Sequence, residues 1–191
     1  TLSRSFFQGL ETGIAMREET LSSRTLFTGR VLTLDLLEVR LEDGRRSQRE
    51  IIRHARAVGV LARQADGRFV WVRQYRKAMD AEVIEICAGL VDPGEDAETA
   101  ARRELAEETG LTARSLIRLG EVYSSPGYSD EKVDVFFADC DPAVDELRLD
   151  ADEHVERRIL TREQIETAIR DGEIRDAKSI AAWHLFLTRP V

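Results

Sequence analysis

The chain has 191 residues, of which 42% are hydrophobic and 34% charged, with a formal net charge of −8. This suits one globular domain of ordinary size, or one domain with an appendage, and excludes a helical membrane span, because no apolar run approaches the ~18 residues such a span needs. The acidic balance also excludes a broad nucleic-acid surface built on clustered Lys and Arg, but not a phosphate-bearing small molecule, since bound cations invert the local field.

Residues 1 to about 24 show little periodicity and read as an N-terminal arm without an assigned element. Arg4, Glu11, Arg17, Glu18 and Glu19 interrupt every apolar stretch there, so nothing resembles a secretory signal, and a cytoplasmic setting is expected. From Thr25 the character changes. Phe27, Val31, Leu32, Leu34, Leu36, Leu37, Val39 and Leu41 form a β-rich run, ended by the hairpin signal Asp43-Gly44 before a second run from Arg49 to Val60. Asp66-Gly67 marks another turn. Arg68 to Arg76 then reads as a strand with Phe69, Trp71 and Tyr75 on one side and Val70 and Val72 on the other. Glu82 to Cys87 is short, extended, and leads into a glycine loop.

Gly89 to Leu111 organises the chain. Asp92-Pro93-Gly94 is a turn, Asp96 to Thr109 lacks Pro and Gly, and Gly110 stands where a helix usually ends in the left-handed conformation. Ala97, Ala100, Ala101 and Leu105 make a narrow stripe of small apolar side chains that lets the helix lie close to a sheet. Glu104, Glu107 and Glu108 fall off that stripe. Glu104 and Glu108 are one turn apart and project to one side, where like charges cost a few tenths of a kcal/mol per pair. A hard divalent cation removes that cost, and converging carboxylates make a partial shell for Mg²⁺ or Mn²⁺, which keep waters and take up substrate phosphate oxygens. Solvated surface glutamates are the bland alternative.

Beyond the helix, Ser115 to Ser124 and Lys132 to Ala138 read as strands flanking Ser125-Pro126-Gly127. Thr161 and Gln164 form a capping box for a short amphipathic helix carrying Ile165 and Ile169 and closed by Gly172. A last helix is expected over Lys178 to Leu187, burying Ile180, Ala181, Trp183 and Leu187. Cys87 and Cys140 have no metal-ligand spacing and are expected to be buried free thiols.

Gly89, five residues, Glu95, seven residues, Arg103-Glu104-Leu105, one residue, Glu107-Glu108, one residue, then Gly110-Leu111 fills every specified position of the Nudix box, so the chain resembles the Nudix hydrolase superfamily. Seven strict positions, each matched by chance at roughly 0.07, give a random probability on the order of 10⁻⁸ per start. The periodicity suggests an α+β fold with a mixed sheet covered by helices, and the resemblance implies the same α/β/α sandwich. It further implies a small antiparallel β-sheet region within residues 1–54, an arm that dimerises, ahead of a hydrolase domain at 55–191.

Two elements outside the box resemble the ADP-ribose pyrophosphatase branch. One is Gln74-Tyr75-Arg76 followed by Glu85-Ile86-Cys87-Ala88-Gly89-Leu90, in which Cys87 replaces the usual proline. The other is Ser124-Ser125-Pro126-Gly127-Tyr128-Ser129-Asp130-Glu131, with Pro126 fifteen residues after Leu111.

The resemblance implies Mg²⁺-dependent hydrolysis of ADP-ribose to AMP and ribose 5-phosphate by a homodimer. It implies two or three ions per site, held by Glu104, Glu107, Glu108 and the carbonyl of Ala88. Arg103 is read as the orienting partner of these carboxylates. Arg76 is read as the substrate cation, with Ser125, Gly127 and Glu131 as the substrate loop and Glu50 reaching the adenosine moiety from the partner subunit. The general base is expected in the acidic loop 150–156, at Glu153 and next at Glu156, with Glu107 as an alternative. Other readings are a pyrophosphatase for GDP-mannose, NADH, FAD or a diadenosine polyphosphate, and a non-catalytic nucleotide sensor.

Overall fold

The computed structural model describes residues 17–141 and 155–189. The chain divides after Arg53 into two compact units.

In the first unit, β1 (Glu19–Thr28), β2 (Leu32–Arg40) and β3 (Arg46–His54) form a three-stranded sheet in that order, with β1 antiparallel to β2. Gly44, at φ 83°, closes the turn before β3 as the Asp43-Gly44 signal predicts. The first β-rich run is two strands rather than one, and β1 starts within the segment expected to carry no element. The reason is visible in its surroundings. Nearly all of β1 is exposed, so no buried face writes an alternating pattern into its sequence. Its ladder to β2 is supplemented by an ion pair between Arg40 and Glu19 (2.9 Å) and by the Thr25 hydroxyl donating to Asp35 (2.8 Å).

The second unit carries β4 (Ala57–Arg63), β5 (Phe69–Arg76), β6 (Ala81–Glu85), β7 (Cys87–Leu90), α1 (Ala97–Thr109), β8 (Ala113–Tyr123), β9 (Lys132–Cys140), β10 (Val155–Leu160), α2 (Arg162–Arg170) and α3 (Ala177–Thr188). Its strands form one mixed sheet in the order β10-β5-β4-β9-β8, with β6 added to β5 and β7 to β4. Among the described residues β4 and β9 run parallel, in a register that sets Val58 beside Asp134.

Alternate strand residues feed two cores. Val58, Val60, Val70, Val72 and Phe136 pack under α1 on one face, while Leu61, Phe69, Trp71, Val135 and Phe137 pack against α2 and α3 on the other. This is the expected α/β/α sandwich. Cys87 and Cys140 are buried free thiols.

β4 and β5 are paired only at Ala62–Val70 and Arg63–Phe69. Beyond that point the sheet forks. β6 follows β5, the chain changes partner at Ile86, and β7 follows β4. The Ile86 N–H at the crossing donates to the Ser179 hydroxyl on α3 (2.9 Å).

α2 has the predicted capping box, with Thr161 and Gln164 bonded reciprocally. The buried face of α3 differs from expectation. Ser179, Ala182 and Trp183 are buried, whereas Ile180 is 37% and Leu187 40% exposed. Apolar residues surround most of this helix, so its sequence does not select a face. Packing decides, with Trp183 edge-on to Phe69 at 5.0 Å.

Candidate active site

Local chemistry places α1. The Asp96 carboxylate accepts from the Thr99 N–H (2.9 Å), and Gly110, at φ 64°, closes the last turn onto the Ala106 carbonyl. Ala100, Ala101 and Leu105 are fully buried, so the helix lies close to the sheet and its glutamates line up beside β7. Glu104 fills the space beside Gly89, where any Cβ would overlap its carboxylate. Buried Glu108 accepts from the Ala88 N–H (3.2 Å).

Arg103 ties this ledge together. Its Nη1 donates to Glu104 (2.6 Å) and Glu107 (3.1 Å), its Nε and Nη2 to Glu95 (3.2 and 3.0 Å), and its Nη2 also to the Leu90 carbonyl (2.9 Å). A guanidinium can do this because its donors are fixed in a plane and point in several directions. Glu95, further bonded by the Asp92 N–H, is held below the usual carboxylate range chiefly by Arg103. The carboxylates in turn, Glu95 foremost, keep the Arg103 charge permanent.

Among the described residues no three His, Cys, Asp or Glu side chains close into a metal cage. The donor set fits a different kind of site. Oxygen-only ligands along one helix edge suit Mg²⁺ or Mn²⁺, which take a few carboxylates and complete their shells with water and phosphate oxygens. Gly89 and Arg103 both fix where Glu104 stands.

Across the fork, Arg76 at the end of β5 forms a two-pronged pair with Glu85, Nε to Oε1 at 2.7 Å and Nη2 to Oε2 at 3.1 Å. Burial lowers its tendency to stay charged, but Glu85 outweighs that, and the charge of Glu108 adds to it, so its proton is held more tightly than usual. Ser125, Gly127 and Glu131 lie on the turn between β8 and β9. The Ser125 carbonyl accepts from the N–H groups of Tyr128 and Ser129, and Glu131 stands 3.5 Å from His54.

Glu156 lies on strand β10 rather than on an acidic loop. It pairs with Arg73 (2.8 Å) and Arg158 (3.2 Å), which lower its pKa, Arg158 first. Glu153 lies outside the described residues. Glu50 is exposed on β3 of the first unit.

Sequence reasoning assigned no role to Glu85, Glu95 or Lys178. Glu85 is buried and meets Lys178, 93 residues later, as well as Arg76. No spacing rule links positions so far apart.

The NUDIX domain family model matches residues 53–183. ADP-ribose pyrophosphatase of Bacillus subtilis (strain 168) is 40% identical over 88% of this chain and 91% of its own length. The methanol dehydrogenase activator of Bacillus methanolicus is 36% identical over 89% and 92%. A crystal structure of an ADP compounds hydrolase superposes with a TM-score of 0.81 over 92% of this chain and 95% of its own, at 24% identity, a likeness of fold.

Proposed function

The chain belongs to the NUDIX domain family, and from that premise we propose that it hydrolyses the pyrophosphate bond of ADP-ribose to AMP and ribose 5-phosphate. One observation carries the reading: the Arg103-centred ledge of Glu104, Glu107 and Glu108 beside the backbone of Ala88 and Gly89. An acidic ledge of this kind repels a diphosphate unless cations intervene.

Glu104, Glu107, Glu108 and the Ala88 carbonyl are the residues assigned to two or three Mg²⁺ ions, with Mn²⁺ as a substitute. When bound, such ions screen the diphosphate charge and stabilise the charge that develops as water attacks. Arg103 keeps the carboxylates in register. Arg76 offers its guanidinium edge to the substrate phosphates. A water oxygen forms a bond to one phosphorus, the bridging P–O bond breaks, and the other phosphate leaves with the bridging oxygen. The water proton is assigned to Glu153, with Glu107 and Glu156 as alternatives. Ser125, Gly127 and Glu131 are assigned to the substrate-binding loop.

We assign the working form to a cytoplasmic homodimer in which Glu50 serves the partner subunit's site. Unbridged Cys87 and Cys140 accord with a reducing compartment. No helix among the described residues is long and apolar enough to cross a membrane.

A hydrolysis screen tests the reading. ADP-ribose, GDP-mannose, NADH, FAD and a diadenosine polyphosphate are supplied with Mg²⁺ or with chelator, and the nucleotide products are followed, GMP from GDP-mannose and adenine nucleotides from the others. ADP-ribose is expected to give the highest kcat/KM, lost on chelation. A better rate with GDP-mannose reassigns the substrate, and no turnover on any compound favours a sensor.

A further inference from the structure

Arg76 is the visible end of a longer chain of charges. Asp176, the N-cap of α3, lies 3.1 Å from Lys178, Lys178 bonds the Glu85 carboxylate, and Glu85 grips Arg76 through both oxygens. The Glu85 side chain is only 2% exposed and Lys178 18%, whereas Arg76 is 43% exposed. The charges alternate from the helix cap inward and reach solvent at Arg76.

A buried carboxylate needs most of its lone pairs occupied, and a two-pronged guanidinium fixes the mutual orientation of the two groups while taking up only one lone pair on each oxygen. Lys178 approaches Glu85 from α3 and Arg76 approaches it from β5, so the carboxylate is held by two cations on different elements. The same turn of α3 holds the backbone. The Ser179 hydroxyl donates to Asp176 (2.5 Å) and accepts the Ile86 N–H (2.9 Å), two residues ahead of Ala88.

We propose that Lys178 is a positioning residue for hydrolysis, which through Glu85 sets where the Arg76 guanidinium meets the substrate phosphates. This rests on the hydrolase reading above. Lys178 touches no reacting atom. Its contribution is to the fixed geometry of Arg76, and it therefore acts on substrate binding more than on the bond-breaking step.

The test compares Lys178→Met and Lys178→Arg, alone and in an Arg76→Ala background, with ADP-ribose and Mg²⁺. Lys178→Met is expected to raise KM about tenfold with kcat within about threefold, and Lys178→Arg to recover most of the loss, since it restores a cation to Glu85. In the Arg76→Ala background Lys178→Met is expected to have no further effect, as residues acting through one another are not additive. A purely structural role predicts instead a lower thermal midpoint and the same fold loss in both backgrounds, and that result overturns the proposal. If Lys178→Met does not fold, Lys178→Gln is read by the same criteria. An unmutated enzyme that turns over while Lys178→Met leaves KM unchanged refutes the positioning role alone. An unmutated protein inert toward every substrate refutes the hydrolase reading and this inference with it.

Discussion

Glu104 stands in the space that a side chain at position 89 would need, so the glycine of β7 and the glutamate of α1 are one device. Gly89→Ala drives the Glu104 carboxylate out of the space it fills beside β7 without removing it. Displacements of this kind cost on the order of 100-fold in rate. The expected outcome is a fall of that size in kcat/KM, with the fold retained by circular dichroism.

Glu108→Gln keeps the shape of a buried side chain and removes its charge. If the ledge holds divalent ions, the rate falls at least about 100-fold and the Mg²⁺ concentration for half-maximal rate rises. Titrating Mg²⁺ against rate, and Mn²⁺ against its paramagnetic signal, checks both. Unchanged metal dependence would refute the assignment.

Arg103→Lys keeps the charge but gives up the planar donors that serve Glu95, Glu104, Glu107 and the Leu90 carbonyl together. A loss of about 10- to 100-fold in apparent metal affinity or in rate is expected. A lysine enzyme of full activity would show that charge alone suffices.

Acid stability should report the Glu95–Arg103 pair. Glu95 titrates below its ordinary 4.5 in the folded protein, so its contribution is fully present above that value and is lost as pH falls through the lower, folded value. Urea midpoints measured from about pH 6 down to about pH 3 should fall less steeply for Glu95→Gln than for the unmutated chain.

The two thiols should be inert until the protein opens. Burial pushes Cys140 up to about 12 and Cys87 well above its usual value. Since the thiolate is the reactive form, iodoacetamide at about pH 8 should label neither in the folded protein and both in urea. Mass spectrometry distinguishes the two states.

What the sequence disclosed follows how local each signal is. α1 was legible because its cap, its Ala stripe and its terminal glycine all lie within the segment they shape, and the ledge glutamates follow from helical spacing alone. β1 was not legible, since a strand exposed along most of its length has no alternation to read. The buried face of α3 was misjudged because nearly every side of that helix is apolar, leaving the choice to Phe69 and the sheet. The Glu85–Lys178 contact spans 93 residues and needs the fold before it exists.

The forked sheet has its own consequence. Arg76 and Glu85 stand on the prong made by β5 and β6, whereas Ala88 and Gly89 stand on the prong made by β4 and β7; β4 and β5 pair directly only at their shared stem, and the chain crosses from one prong to the other at Ile86. On the proposed assignment, recognition of the substrate and activation of its phosphates are mounted on separate supports. With roles so assigned, mutations on the first can suit a new substrate while the second, with the α1 glutamates beside it, keeps its chemistry, which is a modular route to divergent specificities within one architecture.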